Sequence, residues 1–412
     1  MSTFQQLNIY EVNLRQYTPE GTITAFIQHL PRLHDMGVEV LWIMPIHPIG
    51  VLNRKGILGS YYSVKDFYDV NPEFGTKEDF KILVERVHGY GMKIIIDWVA
   101  NHAAWDNNWT TTNPEFFERN DAGNFKSPFD WSDVIQIDHS SKTEQAAMLN
   151  AMKYWITEFD IDGFRADLAH LTPLPFWINA RTSLNTIKKD LLWLAETEET
   201  NYYEAFDILY AWKWMHATET FFKENKDINS LISLLQTQQQ DIPKDAWQLY
   251  FTSNHDENSW NGTEYEKYGI YAKALAVFNY TYCNSVPLIY SGQELPNYKR
   301  LAFFEKDIIE WKENIELHAF YKTLITFHKN NFTAGELRFL PSQKNMLAFI
   351  RQKEEKAILV FLNLDKEKRR LDFPDTGING NYKNIFTGEM VFISENITVE
   401  LEAGGFLLFF SN

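Results

Sequence analysis

The 412-residue chain has one cysteine, Cys283. A single thiol excludes an intramolecular disulfide framework and a thiolate metal cage. Nowhere do eighteen apolar residues run together, so no membrane-spanning helix is encoded. Met1–Tyr10 lacks a basic start followed by an apolar stretch, which leaves the cytoplasm as the expected location unless a leader has been removed. Positive charge is scarce: 39 Lys and Arg stand against 55 Asp and Glu, a formal net charge of −16. A field of that sign repels phosphate backbones and anionic lipid, so neither nucleic acid nor a membrane is an expected partner. There is no Gly-rich strand-to-helix phosphate loop, and Gly59-Ser60-Tyr61-Tyr62 has the wrong composition for one. His102, His139, His170 and His255 lack the i, i+4 spacing of a zinc helix, and no Asp-rich calcium loop with its glycine occurs, so no catalytic metal is expected.

What is present suits a large folded core. Hydrophobic residues at 45% and charged residues at 23% sit near globular averages. Aromatic residues reach 16%, and flat rings serve core packing and the apolar faces of sugars or bases alike. Eight short apolar runs recur between helix-period segments: Ile9–Val12, Val38–Ile46, Lys93–Val99, Gly163–Leu168, Asp190–Ala195, Phe206–Tyr210, Gln248–Thr252 and Val286–Tyr290. Met148, Met152, Trp155 and Phe159 step by four, three and four, one stripe of an amphipathic helix, and Asp79–Tyr90 reads similarly. Strands alternating with helices run parallel and are covered on the outside, and eight such units close a (β/α)8 TIM barrel. A doubly wound open sheet is the alternative.

Two regions break the alternation. The aromatic, turn-rich stretch after the third strand, residues 103–141, is too long for a plain connection and reads as a short inserted domain over the barrel mouth. From about Lys344 strand follows strand without helices: Leu347–Arg351, Ala357–Leu364, Val391–Ser394, Ile397–Leu401 and Phe406–Phe410. The expected organisation is a barrel over residues 1–335 and a C-terminal all-β sandwich over residues 336–412.

In such a barrel the working residues lie at the carboxyl ends of the strands. Four ends carry polar residues after apolar runs: Asp97-Trp98-Val99-Ala100-Asn101-His102, Arg165-Ala166-Asp167, Glu196 and Asn254-His255-Asp256. Arg165 and Asp167 are two apart on a strand and share a face. If that face is interior, the guanidinium favours ionised Asp167 and lowers its pKa, making a competent nucleophile. A pair that only braces the barrel is the other reading. Glu196 follows mostly apolar residues, surroundings that raise a carboxyl pKa and suit a proton donor, but Glu198 shares its parity and Glu199 is close. Two carboxyl groups about 5 Å apart across an acetal oxygen suit retaining glycoside hydrolysis.

Taken in order, these strand ends resemble the α-amylase family, glycoside hydrolase family 13. Asp97…Asn101-His102 is similar to its first signature, Gly163-Phe164-Arg165-Ala166-Asp167 to its second, Glu196 to its third and Asn254-His255-Asp256 to its fourth. Gly59–Phe67 and Pro287–Glu294 are further family-like stretches. The resemblance implies Asp167 as nucleophile, Glu196 as general acid/base and Asp256 as the carboxylate holding the sugar at the cleavage point. Tyr62, Asp97, His102, Arg165, His170 and His255 are the implied substrate-binding residues. It further implies an α-glucan oligosaccharide or polysaccharide as partner and cleavage of α-1,4 linkages in starch-like or maltodextrin substrates; a monomer is expected. Endo-acting α-amylase comes first, with an exo-acting α-glucosidase, a transglycosylase or an inactive carbohydrate-binding relative as alternatives. Leu168-Ala169-His170-Leu171 stands where many amylases carry Lys-His after the nucleophile. The family's calcium loop is doubtful, because the excursion after Asn101 is short and Leu171 replaces the customary His. No cofactor is expected, and a structural calcium is expected to be dispensable.

Overall fold

Residues 7–330 and 335–411 are described by the structure, a computed structural model; residues 1–6 and 331–334 of the expected barrel segment and Asn412 lie outside the described residues. Each of the eight apolar runs forms a strand: β1 (Ile9–Val12), β2 (Val40–Ile43), β3 (Lys93–Trp98), β4 (Gly163–Ala166), β5 (Leu192–Ala195), β6 (Ile208–Tyr210), β7 (Trp247–Tyr250) and β8 (Ser285–Tyr290). All neighbours pair in parallel and β1 pairs with β8 as well as β2, so the sheet closes into a barrel. The open-sheet alternative is thereby removed.

Strand side chains alternate between the two faces, and that period sets the plan of the site. Ile9, Val40, Trp42, Ile95, Leu194 and Leu249 belong to one buried cluster that fills the barrel. Residues of opposite parity, such as Tyr10, Leu41, Ile94 and Phe164, join the larger cluster shared with the outer helices. Continuing the inward parity toward the strand ends reaches Glu11, Asp97, Arg165, Asp167 and Glu196. The barrel axis is thus apolar below and charged at its carboxyl mouth, as burial of continuous strands from both sides allows.

The outer layer forms where the periodicity places it. The helix Lys77–Gly89 starts in a capping box, with Asp79 N–H donating to Thr76 Oγ1 and Thr76 N–H to the Asp79 carboxylate. The helix Lys142–Phe159 buries Met148, Met152, Trp155 and Phe159, the expected stripe. One close approach fixes β4: Gly163 has φ +151°, and a Cβ there would stand 2.0 Å from the Leu192 carbonyl oxygen. Only glycine fits beside β5 at this point.

The excursion after β3 contains a short antiparallel pair, His102–Ala104 with Val134–Gln136, which carries the intervening loop. Beyond the barrel, six antiparallel strands lie in the order Glu336–Phe339, Met346–Lys353, Lys356–Asn363, Phe406–Ser411, Gly380–Asn384 and Met390–Ile393. Arg369–Phe373 and Ile397–Leu401 form a separate two-stranded ribbon. Leu371, Phe373, Val399 and Leu401 of the ribbon share a core with Ala348, Ile350, Leu359 and Phe361 of the large sheet. The opposite face of that sheet, including Phe349, Val360 and Leu408, packs into the barrel's helical layer. The sandwich is therefore lopsided. Three of its strands, Glu336–Phe339, Arg369–Phe373 and Gly380–Asn384, carry too few buried residues to stand out in the sequence. No helix among the described residues is long and apolar enough to cross a membrane.

Candidate active site

Arg165, on β4, is fully buried at the centre of the charged mouth. Its Nη1 donates to Asp97 Oδ1 at 2.9 Å and to Asp167 Oδ1 at 3.0 Å, its Nη2 to Glu196 Oε2 at 2.8 Å and its Nε to Tyr210 Oη at 3.2 Å. The guanidinium also lies over the Trp42 ring, 4.9 Å from its centroid. Three carboxyl groups from three adjacent strands thus share one cation. Planar fork geometry makes Arg suited to this, since each nitrogen points in a fixed direction.

The chain turns sharply just past Asp167. Leu168 adopts left-handed backbone at φ 39°, an uncommon conformation for a non-glycine residue, and its N–H donates to Glu196 Oε2 at 2.9 Å. Both hydrogen bonds to Glu196 therefore fall on Oε2, which leaves Oε1 as the oxygen able to carry a proton. Asp167 receives a further, long contact from Asn101 Nδ2 at 3.4 Å, while the same amide bonds the Asp167 carbonyl at 3.1 Å. Glu198 points elsewhere and accepts from Lys213 N–H at 2.7 Å, at the start of the helix Trp212–Glu224.

Burial governs the protonation of this cluster. It pushes the Asp97 carboxyl up to about 7, against the attraction of Arg165. Asp167 is likewise raised, by burial first and by the charge of Asp256, although Arg165 and Asn101 oppose the shift. The sequence-based expectation that Arg165 lowers the Asp167 pKa is therefore corrected: loss of water outweighs one shared cation. Glu196 is raised by burial and by the charges of Asp167 and Asp256, as its apolar approach suggests. Asp256 differs. Burial raises it, but the His255 charge, a hydrogen bond from that ring and Arg165 together hold it below the usual carboxylate range.

His255 links the trio to β1. Its Nδ1 meets Glu11 Oε1 at 2.5 Å, and its Nε2 lies 2.7 Å from Tyr62 Oη and 3.3 Å from Asp256 Oδ2. Tyr62 Oη donates onward to Asp97 Oδ2 at 3.1 Å, so it accepts from His255. Both ring nitrogens then donate, which describes an imidazolium. Burial disfavours that charge, but Asp256 and Glu11 outweigh it and raise the His255 pKa well above its ordinary value. His102 behaves oppositely: burial lowers it to about 4, so its ring is neutral and gives Nδ1–H to Asn101 Oδ1.

A cavity of about 370 Å³ opens above these groups, with Tyr62, His102, Asp167 and Asp256 among its lining. Trp131 from the excursion and the aromatic group Trp260, Phe303 and Phe304 also line it. Phe303 lies nearly parallel to Tyr62, centroids 6.3 Å apart, and Trp260 stands 5.3 Å from Phe303. Of the nine residues singled out in the sequence, Tyr62, His102, Asp167 and Asp256 line this space, and Asp97, Arg165, Glu196 and His255 join them through the hydrogen bonds beneath it. His170 does not join them. It is exposed on the turn Ala169–Leu171 and lies outside the cavity lining, because the left-handed Leu168 redirects the chain. Sequence reasoning missed Glu11, whose signal was a carboxylate within the apolar strand Ile9-Tyr10-Glu11-Val12, Trp260, on the helical turn just after Asp256, and Phe303, on the loop after β8.

Two carboxyl groups on one guanidinium, one with an oxygen free to be protonated, can attack and protonate the two ends of a single acetal linkage. Comparison with known proteins agrees in kind. A family model described as the alpha amylase catalytic domain matches residues 4–331. The structure of a noncanonic maltogenic alpha-amylase, AmyB, from Thermotoga neapolitana is 31% identical, with TM-score 0.90 and 98% of each chain covered. "Alpha-amylase 2" of Dictyoglomus thermophilum is 24% identical over 92% of this chain and 69% of its own length. An intracellular maltogenic amylase of Bacillus subtilis is 24% identical over 88% of this chain and 65% of its own length. The chain belongs to the α-amylase family of glycoside hydrolases.

Proposed function

We propose that the protein cleaves α-1,4-glucosidic linkages of maltodextrins or starch with retention of configuration, Asp167 acting as nucleophile and Glu196 as acid/base. The observation that carries this reading is the pairing of Asp167 and Glu196 on the two terminal nitrogens of Arg165. Carboxylates held on one guanidinium suit the close approach, about 5 Å, that double displacement needs. Asp167 attacks the anomeric carbon as the bond to the leaving oxygen breaks, and that oxygen takes the proton from Glu196. The resulting Glu196 carboxylate then removes a proton from water, whose oxygen displaces Asp167. Asp256, kept ionised by His255, and the Tyr62 ring face the sugar as positive charge develops on it. Proton NMR of maltoheptaose digests tests this: the first product carries the α anomer at its new reducing end. Release of the β anomer, or no cleavage, overturns the assignment.

A structural calcium, which the family resemblance raises, fits poorly. The Asn101 side chain is spent on Asp167 and His102 at both its ends. Among the described residues no group of three or more His, Cys, Asp or Glu is placed to hold a metal ion. Treatment with a chelator is expected to change activity by less than about twofold and to leave Tm in place, since a metal that supported the fold would take stability with it. A loss restored by added calcium contradicts this. The enzyme is proposed to work as a monomer and in the cytoplasm, the latter in keeping with its intracellular Bacillus relative. Activity found only outside fractionated cells, or a dimer mass by light scattering, counts against that placement.

A further inference from the structure

The segment of residues 50–59, between β2 and the following helix, crosses one side of the cleft and is fastened at both flanks. Toward the excursion, Val51 N–H donates to both carboxylate oxygens of Asp106 at 3.1 Å, and Lys55 Nζ meets Asp133 Oδ1 at 2.9 Å. Asp133 is itself anchored, its carbonyl accepting from Ser63 Oγ at 3.2 Å. Toward the loop after β8, Leu58 N–H donates to the Phe304 carbonyl at 3.1 Å and Ile57 N–H to Glu305 Oε1 at 2.9 Å. Buried Arg15 spans the same seam, bonding the carbonyls of Gly59 at 3.0 Å and Phe303 at 3.4 Å. Arg54 closes the segment on itself through the carbonyls of Ile49, Gly50 and Ile57. So many ties across two neighbours make a fixed wall.

The position of the wall follows from the chemistry. A nucleophile bonds to the sugar that keeps the anomeric carbon, the glycone, while the acid protonates the departing chain. The cavity is lined by Asp167, Asp256, Tyr62, Lys55 and Asp133, but Glu196 is outside its lining. It therefore lies on the glycone side. Its volume of about 370 Å³ is near the small end of the range for ligand pockets, room for about two sugar rings.

We propose that Lys55 and Asp133 form an end stop on the glycone side, so that the enzyme removes pieces of only one or two glucose units from non-reducing ends. The proposal rests on the assignment of Asp167 and Glu196 above, and sets aside the endo-acting preference drawn from the sequence. Lys55 is 37% exposed and Asp133 8%, so the lysine can be changed without opening the core.

Maltoheptaose labelled at its reducing end provides the test. In the earliest time points the wild-type enzyme is expected to place label only in maltohexaose and maltopentaose. Lys55→Ala is expected to add labelled maltotetraose and shorter products from the start, and Lys55→Arg to keep the wild-type pattern. Labelled products of every length from the wild type, or a Lys55→Ala pattern identical to wild type, overturn the end stop and leave the catalytic assignment standing. Loss of all cleavage in Lys55→Ala also overturns it, because a wall acts on chain length and not on the bond. A wild type that cleaves nothing overturns both.

Discussion

Asp167→Asn is expected to lower kcat/KM on soluble starch by about 10⁴ or more, equivalent to about 5.5 kcal/mol of barrier. The amide cannot form the covalent glycosyl ester, and no neighbouring group takes over: Asp97 is saturated by Arg165, Trp42 and Tyr62, and Asp256 faces His255. The fold is expected to survive. Glu11, Asp97, Asp167, Glu196 and Asp256 crowd the mouth against Arg165 and His255, and the pKa values of Asp97, Asp167 and Glu196 are raised by burial with like charge contributing. Removing one carboxylate relieves repulsion there, so Tm should equal or exceed that of the wild type, as is common where a site stores instability for function. Reducing-sugar release and a thermal melt on the same preparation decide the matter. Residual turnover within about tenfold of wild type would assign the nucleophile elsewhere.

Glu196→Gln should cost about 10³ on maltodextrin, within the usual range for loss of a general acid/base. The loss should be much smaller in the first step with an aryl maltoside, whose phenolate departs without a proton. Glu198→Gln should stay within about threefold on both substrates, because Glu198 serves the amide of Lys213 at the start of a helix. Burst and steady-state rates on the two substrates separate the variants. The reverse order of effects would move the acid role to Glu198.

The ambiguity between these two glutamates shows where sequence reasoning stops. They share strand parity, and the period of two that marks inward-facing residues cannot distinguish a side chain on Arg165 from one on a helix start. The barrel itself was legible because eight apolar runs alternate with helix-period segments, and inward parity then carried Arg165, Asp167 and Asp97 to one place. That His170 stands apart on an exposed turn was not legible, because spacing along the chain says nothing of the left-handed backbone at Leu168. The direction of the Asp167 shift was missed for a different reason: charge partners can be read from spacing, whereas complete removal from water depends on every element packed around the group. In the C-terminal sheets, Arg369–Phe373 buries only Leu371 and Phe373, too weak an alternation to announce a strand. Lys55 and Asp133 are 78 positions apart, and no local pattern links them.

β4 is only four residues long, and left-handed or otherwise glycine-favouring backbone stands just inside its start at Gly163 and just beyond its end at Leu168. Within that span the spacing from the Leu192 contact to the Arg165 and Asp167 side chains is fixed on both sides. An insertion or deletion there would swing the guanidinium out of the lumen and dismantle the mouth. Diversification of this enzyme must therefore proceed through its rim segments, where length can change while the central stave keeps its count.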